Sequence, residues 1–500
     1  MKKNLFSTLL TLAVVIILSA CSKDELNPTP EPPDQPDDPI PTTESYNEQY
    51  RPQIHFTPAK NWVNDPNGLV FVNGTYHLFY QYNPMGNNWG NMSWGHATST
   101  NLIHWEEQSV ALTRDELGDI FSGSAVIDQA NTAGFGAGTM VALYTSAGSA
   151  QQQSMAYSTD GGKTFLRYAN NPVIKNNDDN LRDPKVFWHE ATKQWIMVLA
   201  KGWKMGVEIY GSTNLKTWNH LSTFFVDLTS AGRPNLQWEC PDLLQFGDKW
   251  VMLVSVNPGG PILGSGTMYF VGNFDGKEFK ADNLDYPLWL DYGMDNYAGV
   301  TWSNTGDRRI LIGWMNNWQY AGDVPCSPWR SAFTLPRELK LVDFNGKPLL
   351  ANTVVKEIEA IADSWKTTMG NIDAKDAYQL RLTIDLDKKS TITLTNASNE
   401  RFIIDINASD RTLTAHRTAV SGKTSFNGFF SIPSMQAPLN VSGNSVTLDL
   451  FVDQSSVEIF TQSGTMAMTN LVFPTSIYNE FTVEGATAKA QVRSLKRIWK

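Results

Sequence analysis

Two patterns of hydrophobic and polar positions divide the chain. Over residues 51–350, short apolar runs alternate with Gly, Asn, Asp and Pro, and no long helical periodicity occurs. Residues 69–72 and 75–80 flank Asn73-Gly74, a dipeptide that strongly predicts a hairpin turn. The first pattern therefore predicts an all-β region of many short antiparallel strands.

The second pattern begins near residue 356. Residues 380–386, 401–406 and 446–452 alternate apolar and polar side chains, which is typical of strands with one buried face. Polar turns separate these runs, so residues 356–500 are predicted to form a β-sandwich that packs against the first region. A short connecting helix is expected over residues 357–365.

Marked residues recur along the first region at nearly constant intervals. The gaps between them are 57, 61, 56 and 58 residues, and the residues are Asp65, Ser122, Asp183, Glu239 and Tyr297. Each gap accommodates four strands and their turns, which is one blade of a β-propeller. Residues 49–350 are therefore predicted to form a five-bladed propeller, in which matched positions face one end of a central channel.

Three motifs within these repeats carry candidate carboxylates: Trp62-Val-Asn-Asp-Pro-Asn-Gly68, Arg182-Asp-Pro184 and Glu239-Cys-Pro-Asp242. Taken singly, each has a structural explanation, such as a turn or a salt bridge. Their matched places in successive repeats favour a shared site instead. Retaining cleavage of a glycosidic bond needs one carboxylate that attacks the anomeric carbon and a second that donates a proton. A third carboxylate would stabilise the positive charge of the glycosyl transition state.

The first 48 residues predict export. Two lysines precede an apolar stretch over residues 9–18, which is too short for a comfortable membrane span. Residues 1–21 are therefore predicted to be a signal peptide, and their Leu-Ser-Ala-Cys21 end resembles a bacterial lipobox with Cys21 as the lipidated residue. The alternative is an ordinary signal with an incidental cysteine.

Residues 22–48 are acidic and rich in Pro, which predicts an extended tether. Their start, Ser22-Lys-Asp-Glu25, resembles the export signal of Bacteroidetes surface lipoproteins. We expect an outer-membrane protein that is exposed at the cell surface and touches the membrane only through its lipid anchor.

Composition limits the remaining possibilities. A net charge of −10 argues against nucleic acid as a partner, because phosphate binding needs a basic face. The 17 Trp residues suit either sugar stacking or a Trp-rich core. Cys240 and Cys326 have no neighbours at metal-ligand spacing, so we expect no metal site. A disulfide between them and two separate buried thiols are both compatible with the sequence.

The ordered motifs resemble those of glycoside hydrolase family 32, which contains invertases, inulinases and levanases. Besides the three carboxylate motifs, the resemblance rests on Phe79-Tyr-Gln-Tyr-Asn-Pro84, Trp94-Gly-His96, Phe121-Ser-Gly123, Asp295-Asn-Tyr-Ala298 and, in the second region, residues 451–460. It implies a five-bladed propeller followed by a β-sandwich, and it implies no cofactor.

The resemblance also implies roles for individual residues. Asp65 would be the nucleophile, Glu239 the general acid/base and Asp183 the transition-state stabiliser. Nine further residues match positions expected to line the sugar pocket: Asn64, Gln81, Trp89, Trp94, Phe121, Ser122, Arg182, Tyr297 and Trp314.

The predicted function is a retaining β-fructosidase that hydrolyses fructans. The export signal favours levan (β-2,6) over inulin (β-2,1) and internal over terminal cleavage, and it is compatible with association with a surface glycan-uptake complex. Two alternatives stay open: a non-catalytic fructan-binding lipoprotein, and a fructosyltransferase that acts on sucrose.

Overall fold

A computed structural model describes residues 46–177, 180–228, 236–262, 264–431 and 434–499. The predicted signal peptide, Cys21 and most of the tether lie outside these residues. Within the described ranges, no helix combines the length and the apolar character that a membrane span requires.

The first domain consists of five sheets of mainly antiparallel strands, blades I to V, which follow each other along the chain. Blade I contains β1 (Asn61–Val72), β2 (Thr75–Asn83), β3 (Ser93–Ser99) and β4 (Glu106–Leu112). Blade II contains β5 (Asp119–Asp128), β6 (Thr139–Ala147), β7 (Gln151–Ser158) and β8 (Leu166–Arg167). Blade III contains β9 (Leu181–His189), β10 (Gln194–Lys201), the 3-10 helix Gly202–Lys204, β11 (Gly206–Ser212) and β12 (Asn219–Phe225).

Blades IV and V complete this domain. Blade IV contains β13 (Trp238–Phe246), β14 (Lys249–Val256), β15 (Gly266–Phe274), β16 (Phe279–Ala281) and β17 (Leu288–Trp289). Blade V contains β18 (Tyr297–Thr301), β19 (Ile310–Met315), β21 (Ala332–Phe333), β22 (Arg337–Phe344) and β23 (Lys347–Val354). The short strand β20 (Trp329–Arg330), which precedes β21, pairs in parallel with the start of β1 in blade I.

The first strands of the blades form a closed ring. Each of β1, β5, β9 and β13 contacts the first strand of the next blade, and β18 contacts β1. The second strands lie between neighbouring sheets, so both of their faces are buried; residues 196–200 of β10 are all 0% exposed. The predicted five-bladed propeller is confirmed, including its hairpin at Asn73-Gly74, where both residues adopt positive φ.

The second domain is the predicted β-sandwich, and it is also confirmed. Its strands are β24 (Lys366–Thr367), β25 (Ala377–Asp385), β26 (Ser390–Thr395), β27 (Arg401–Asn407), β28 (Thr412–His416), β29 (Met435–Pro438), β30 (Ser445–Asp453), β31 (Ser456–Thr461), β32 (Ala467–Leu471), β33 (Glu480–Glu484) and β34 (Ala488–Leu495). One sheet has the order β24-β34-β25-β30-β31-β32 and the other β29-β28-β27-β26-β33. The expected connecting helix is a shorter 3-10 helix, Lys356–Ala360.

Buried charges join the two domains. His55 lies between Asp453 and Glu458 of the sandwich, at 2.8 and 3.0 Å, and Arg337 of blade V contacts Glu458 at 2.6 Å and Asp291 at 2.8 Å. Burial opposes the ionisation of Glu458, but Arg337 and His55 outweigh it and lower its pKa to about 2. Asp453 and Glu458 belong to the family-like segment 451–460, so two charged residues of that segment attach the sandwich to the propeller.

Candidate active site

The same irregularity interrupts the first strand of every blade. The pairing between first and second strands breaks within a tripeptide that ends in Pro or Gly. The five tripeptides are Asn64-Asp65-Pro66, Phe121-Ser122-Gly123, Arg182-Asp183-Pro184, Glu239-Cys240-Pro241 and Tyr297-Ala298-Gly299. Pro cannot donate to the ladder and Gly has no side chain to place, so both suit a β-bulge. Bulges redirect side chains, and these five bulges surround one position in the ring.

Three of the bulges contain a strained backbone. Asp183, Cys240 and Ala298 have φ values of 63°, 44° and 51°, in the left-handed region that side chains with a Cβ rarely adopt. Each such residue costs on the order of 1 kcal/mol, which the surrounding sheet must supply. This repeated strain marks the middle positions of blades III, IV and V as sites where side-chain direction matters more than local stability.

The tripeptides define two sets of matched positions and correct the spacing argument. The first positions are Asn64, Phe121, Arg182, Glu239 and Tyr297, and the middle positions are Asp65, Ser122, Asp183, Cys240 and Ala298. Glu239 and Tyr297 were treated as counterparts of Asp65, but each is the first residue of its tripeptide, whereas Asp65 is the second. Two successive residues of each tripeptide reach the site. An interval of nearly sixty residues therefore cannot tell whether a residue occupies the first or the middle position of its tripeptide.

Asp65 is held by three neighbouring donors. The hydroxyl of Ser122 donates to its Oδ2 at 2.8 Å, Asn64 donates to its Oδ1 at 3.2 Å, and the Cys240 thiol lies 3.6 Å from Oδ2. Burial and the charge of Glu239 raise the pKa of Asp65 to about 6, although these hydrogen bonds oppose the rise. Asp65 is therefore mostly ionised at neutral pH and held in one orientation, as a nucleophile requires.

Asp183 lies deeper than Asp65. Its Oδ2 accepts a hydrogen bond from the Cys240 backbone N–H at 3.0 Å and lies 3.6 Å from the Cys240 thiol. Burial raises the pKa of Asp183 to about 7; Arg182, at 3.8 Å, opposes this, whereas Glu239 and Asp65 add to it. Cys240 thus holds the two aspartates together from the blade IV bulge.

Glu239 has different partners. Arg182 Nη2 donates to its Oε1 at 2.5 Å, and the hydroxyl of Tyr297 donates to its Oε2. The Glu239 side chain is 18% exposed, compared with 7% for Asp183. Among the three predicted carboxylates, Asp183 is the buried one, whereas Asp65 and Glu239 keep access to solvent and so to a reacting bond.

Two of the predicted pocket residues form a rim. The side chain of Trp89 is 50% exposed, and the partly exposed ring of Phe121 packs edge-on against it at 6.2 Å. Gln81 and Asn64 are buried: Gln81 donates to the Ile120 carbonyl at 3.0 Å, and Asn64 accepts from Trp62 at 2.8 Å. The polar pair is therefore fixed in place, and the aromatic pair is available for stacking.

Trp94 and Trp314 differ from the prediction. Both are 0% exposed, so neither presents an indole face to a sugar. Trp94 donates to the Phe121 carbonyl at 3.0 Å, and Trp314 packs against Trp62 and Tyr297. They support the pocket from behind, because the strands that carry them are covered on both faces by neighbouring blades.

Two residues at this end of the propeller, Trp203 and Cys240, were not singled out from the sequence as candidate site residues. Trp203 is 54% exposed and follows the second strand of blade III, as Trp89 follows the second strand of blade I. This equivalence between Trp203 and Trp89 can be recognised only after the strands have been assigned to blades. Cys240 is the middle residue of its tripeptide, as Asp183 is in blade III, and this match points to a place in the site. The match was overlooked because Glu239, one residue earlier, had been taken as the counterpart of Asp183.

Both described cysteines are free and buried, which confirms the two-thiol alternative. Burial raises the pKa of the Cys240 thiol well above its usual value, and the charges of Asp183 and Asp65 add to the rise. Burial also raises the pKa of Cys326 to about 12. Both side chains are therefore neutral thiols across the physiological range.

Comparisons with known proteins agree with this geometry. Residues 55–353 match the N-terminal domain of glycosyl hydrolases family 32, and residues 349–499 match the C-terminal domain of that family. The chain is 44% identical to a levanase of Bacillus subtilis over 490 residues, which cover 91% of this chain and 72% of the levanase. It is 39% identical to an extracellular exo-inulinase of Aspergillus niger, with 86% of this chain and 91% of the relative covered.

Solved structures show the same architecture. The exo-inulinase of Aspergillus awamori matches with a TM-score of 0.85 at 36% identity, over 91% of this chain and all of the other. A β-fructofuranosidase of Schwanniomyces occidentalis complexed with fructosyl-erythritol matches with a TM-score of 0.80 at 32% identity, over 92% of this chain and all of the other. The chain therefore belongs to glycosyl hydrolase family 32, as its motifs predicted.

Proposed function

We propose that this protein is a retaining β-fructosidase that degrades fructans, with the β-2,6 bonds of levan as its preferred linkage. The observation that carries the proposal is the placement of Asp65 and Glu239 in one ring, each in a tripeptide where the strand pairing is interrupted and each with its own set of donors. The levanase and exo-inulinase relatives support fructan as the substrate class. The identity to the levanase supports the linkage.

The two carboxylates divide the bond cleavage. An oxygen of Asp65 attacks the anomeric carbon of the fructosyl unit as its bond to the leaving oxygen breaks, and Glu239 gives that oxygen a proton. Water then attacks the fructosyl-enzyme bond and returns a proton to Glu239, which releases fructose and restores Asp65. The hydroxyl of Tyr297 donates to Glu239 in the carboxylate form and can rotate to accept when Glu239 is protonated.

Asp183 stabilises the charge that develops on the fructosyl ring. Its Oδ2 is held by the Cys240 N–H, and its other oxygen is left for sugar hydroxyls. Because the pKa of Asp183 is raised to about 7, nearby positive charge favours its ionised form. Arg182 supplies that charge in the free enzyme, and the fructosyl ring adds to it in the transition state. This residue contributes more to the transition state than to the bound substrate.

We propose that the enzyme removes fructose from chain ends. The export signal favours internal cleavage, but Asp183 and Arg182 are only 6% and 7% exposed, a depth that suits a terminal sugar better than the middle of a polymer. The exo-inulinase relatives support the same mode.

Time-resolved digests test the proposal. Levan and inulin are incubated with the enzyme, and products are separated by chromatography from the first minutes. Fructose alone, released faster from levan, supports the proposal, whereas an early ladder of oligosaccharides contradicts terminal cleavage. Longer products from concentrated sucrose would indicate transfer. The Asp65→Asn variant should release no sugar, and Asp285→Asn, at a side chain 95% exposed, is the matched control.

The proposed location is the cell surface, with lipid attached at Cys21 and a glycan-uptake complex nearby. The lipobox-like segment and the acidic, Pro-rich residues that follow it support this location. Fractionation of cells that produce the Cys21→Ala variant tests the anchor. If lipid is attached at Cys21, the variant should be lost from the membrane fraction. Proteinase treatment of intact cells tests exposure at the surface.

A further inference from the structure

The 3-10 helix Gly202–Lys204 of blade III presents an exposed tryptophan. The side chain of Trp203 is 54% exposed, although tryptophan is usually well buried. The turn itself is ordered by its contacts: the Met205 N–H donates to the Gly202 carbonyl at 3.0 Å, and Met205 packs against the apolar cluster of blades III and IV. The ring of Trp203 is therefore held out from a fixed turn.

Trp203 lies at the end of the propeller that carries the catalytic residues. Lys201, at the end of β10, pairs with Leu181, two residues before Asp183. In blade I, Asn83 at the end of β2 pairs with Trp62 in the same way, and Trp89 lies in the loop that follows. The connection between second and third strands thus carries an exposed tryptophan in both blades.

Hydrogen bonds link the Trp203 turn to the acid/base residue. The Gly202 N–H donates to the Asn180 carbonyl at 3.0 Å. The Asn180 side chain accepts from Arg182 at 3.2 Å, and Arg182 donates to Glu239 at 2.5 Å. Glu239 protonates the leaving oxygen, so this side of the site faces the part of the substrate that departs.

We propose that Trp203 forms a stacking subsite for a fructosyl unit of the departing fructan chain. The inference rests on the proposed function, since it assigns the leaving group to a polymer. The flat face of an indole suits the C–H groups of a sugar ring, and an exposed ring on a fixed turn loses little conformational freedom when it binds. Trp203 then determines preference for chain length and leaves the bond-breaking step unchanged.

The test compares three variants on long fructan and on sucrose, whose glucosyl leaving group has no further units to reach the subsite. Trp203→Ala should raise the KM for levan about tenfold, the effect of losing one stacked ring, with kcat little changed. Its kinetics on sucrose should match those of the native enzyme. Trp203→Phe should restore most of the affinity for levan because it keeps a flat ring.

Trp188→Ala is the matched control. Trp188 is 37% exposed in the same blade, but it lies next to His189 at the opposite end of β9. Loss specific to levan at Trp203, absent at Trp188 and restored by Phe, supports the subsite. Equal loss on sucrose and levan, or no loss on levan, overturns it. Failure of the native enzyme to cleave any fructoside would instead contradict the proposed function.

Discussion

The charge of Asp183 destabilises the native fold, and the Asp183→Asn substitution removes it. The side chain is 7% exposed, and burial raises its pKa from 3.8 to about 7 against the pull of Arg182. Asn keeps the shape and an acceptor for the Cys240 N–H. We therefore expect a variant that is inactive but more stable than the native enzyme at neutral and alkaline pH.

The sign follows from proton linkage. A carboxyl group whose pKa is raised by folding stabilises the protein fully below its unfolded pKa, here 3.8, and this contribution disappears as the pH rises through about 7. A rise of about three pKa units corresponds to roughly 4 kcal/mol. Because Asp65 and Glu239 share the site and respond to the loss of the charge, we expect about 2 kcal/mol. With an unfolding entropy of about 2.1 cal/mol/K per residue over roughly 450 residues, this is a rise in Tm of about 2 °C.

Differential scanning calorimetry at several pH values measures the effect. The difference in Tm between Asp183→Asn and the native enzyme should be smallest near pH 4 and should increase steadily to pH 8. Asp285→Asn changes the same formal charge at a side chain that is 95% exposed, so its difference in Tm should stay small throughout. The thermal transitions are compared at one scan rate, since large proteins often unfold irreversibly.

Two results would refute this reasoning. A difference in Tm that does not change between pH 4 and 8 would show that Asp183 has the same pKa in the folded and unfolded states. A variant that becomes less stable as the pH rises would show that Arg182 outweighs burial, so that the charged form is the stabilising one.

Three further predictions concern other parts of the molecule. Activity should fall about tenfold per pH unit below the Asp65 pKa of about 6. Ser122→Ala should move this acidic limb to higher pH, because the hydrogen bond from Ser122 lowers the pKa of Asp65. An acidic limb that does not move in the pH–rate profile would contradict the assignment of Asp65. Arg337→Met should destabilise the protein by about 3–5 kcal/mol in denaturant unfolding, because it removes the cation that Asp291 and Glu458 share and leaves only His55 beside Glu458. A loss below about 1 kcal/mol would count against the domain-joining role. Cys240 and Cys326 should not react with an aromatic disulfide reagent until denaturant is added, whereas reaction in the native state would show that the blade IV bulge opens.

Much of the fold follows from local patterns in the sequence. The Asn73-Gly74 hairpin requires two positive φ values, which those residues adopt readily, and the structure has both. The five repeats could be recognised in the sequence because every blade contributes a first strand to the ring, so the motif on that strand recurs once per blade. The sandwich was visible because its strands keep one face on a core, as the alternating burial of residues 401–407 shows.

Other features depend on contacts between distant segments. The one-residue offset between Asp65 and Glu239 arises from the bulges, which present two neighbouring side chains to the same space. The burial of Trp94 depends on packing against Tyr144 of the next blade, and no local pattern records that contact. The interval between motifs therefore predicts the architecture but not the register of the site.

The bulges explain where specificity must reside in this propeller. The tripeptide positions are constrained by the interrupted ladders, by left-handed backbone at Asp183 and Cys240, and by hydrogen bonds within the ring. A change there alters the bond-breaking chemistry itself. The connections between second and third strands carry none of the three carboxylates, although they end at the same face, and two of them carry the exposed Trp89 and Trp203. Substrate choice therefore changes most readily in these connections, and exchanging the blade III turn should alter preference for fructan length while cleavage of sucrose continues.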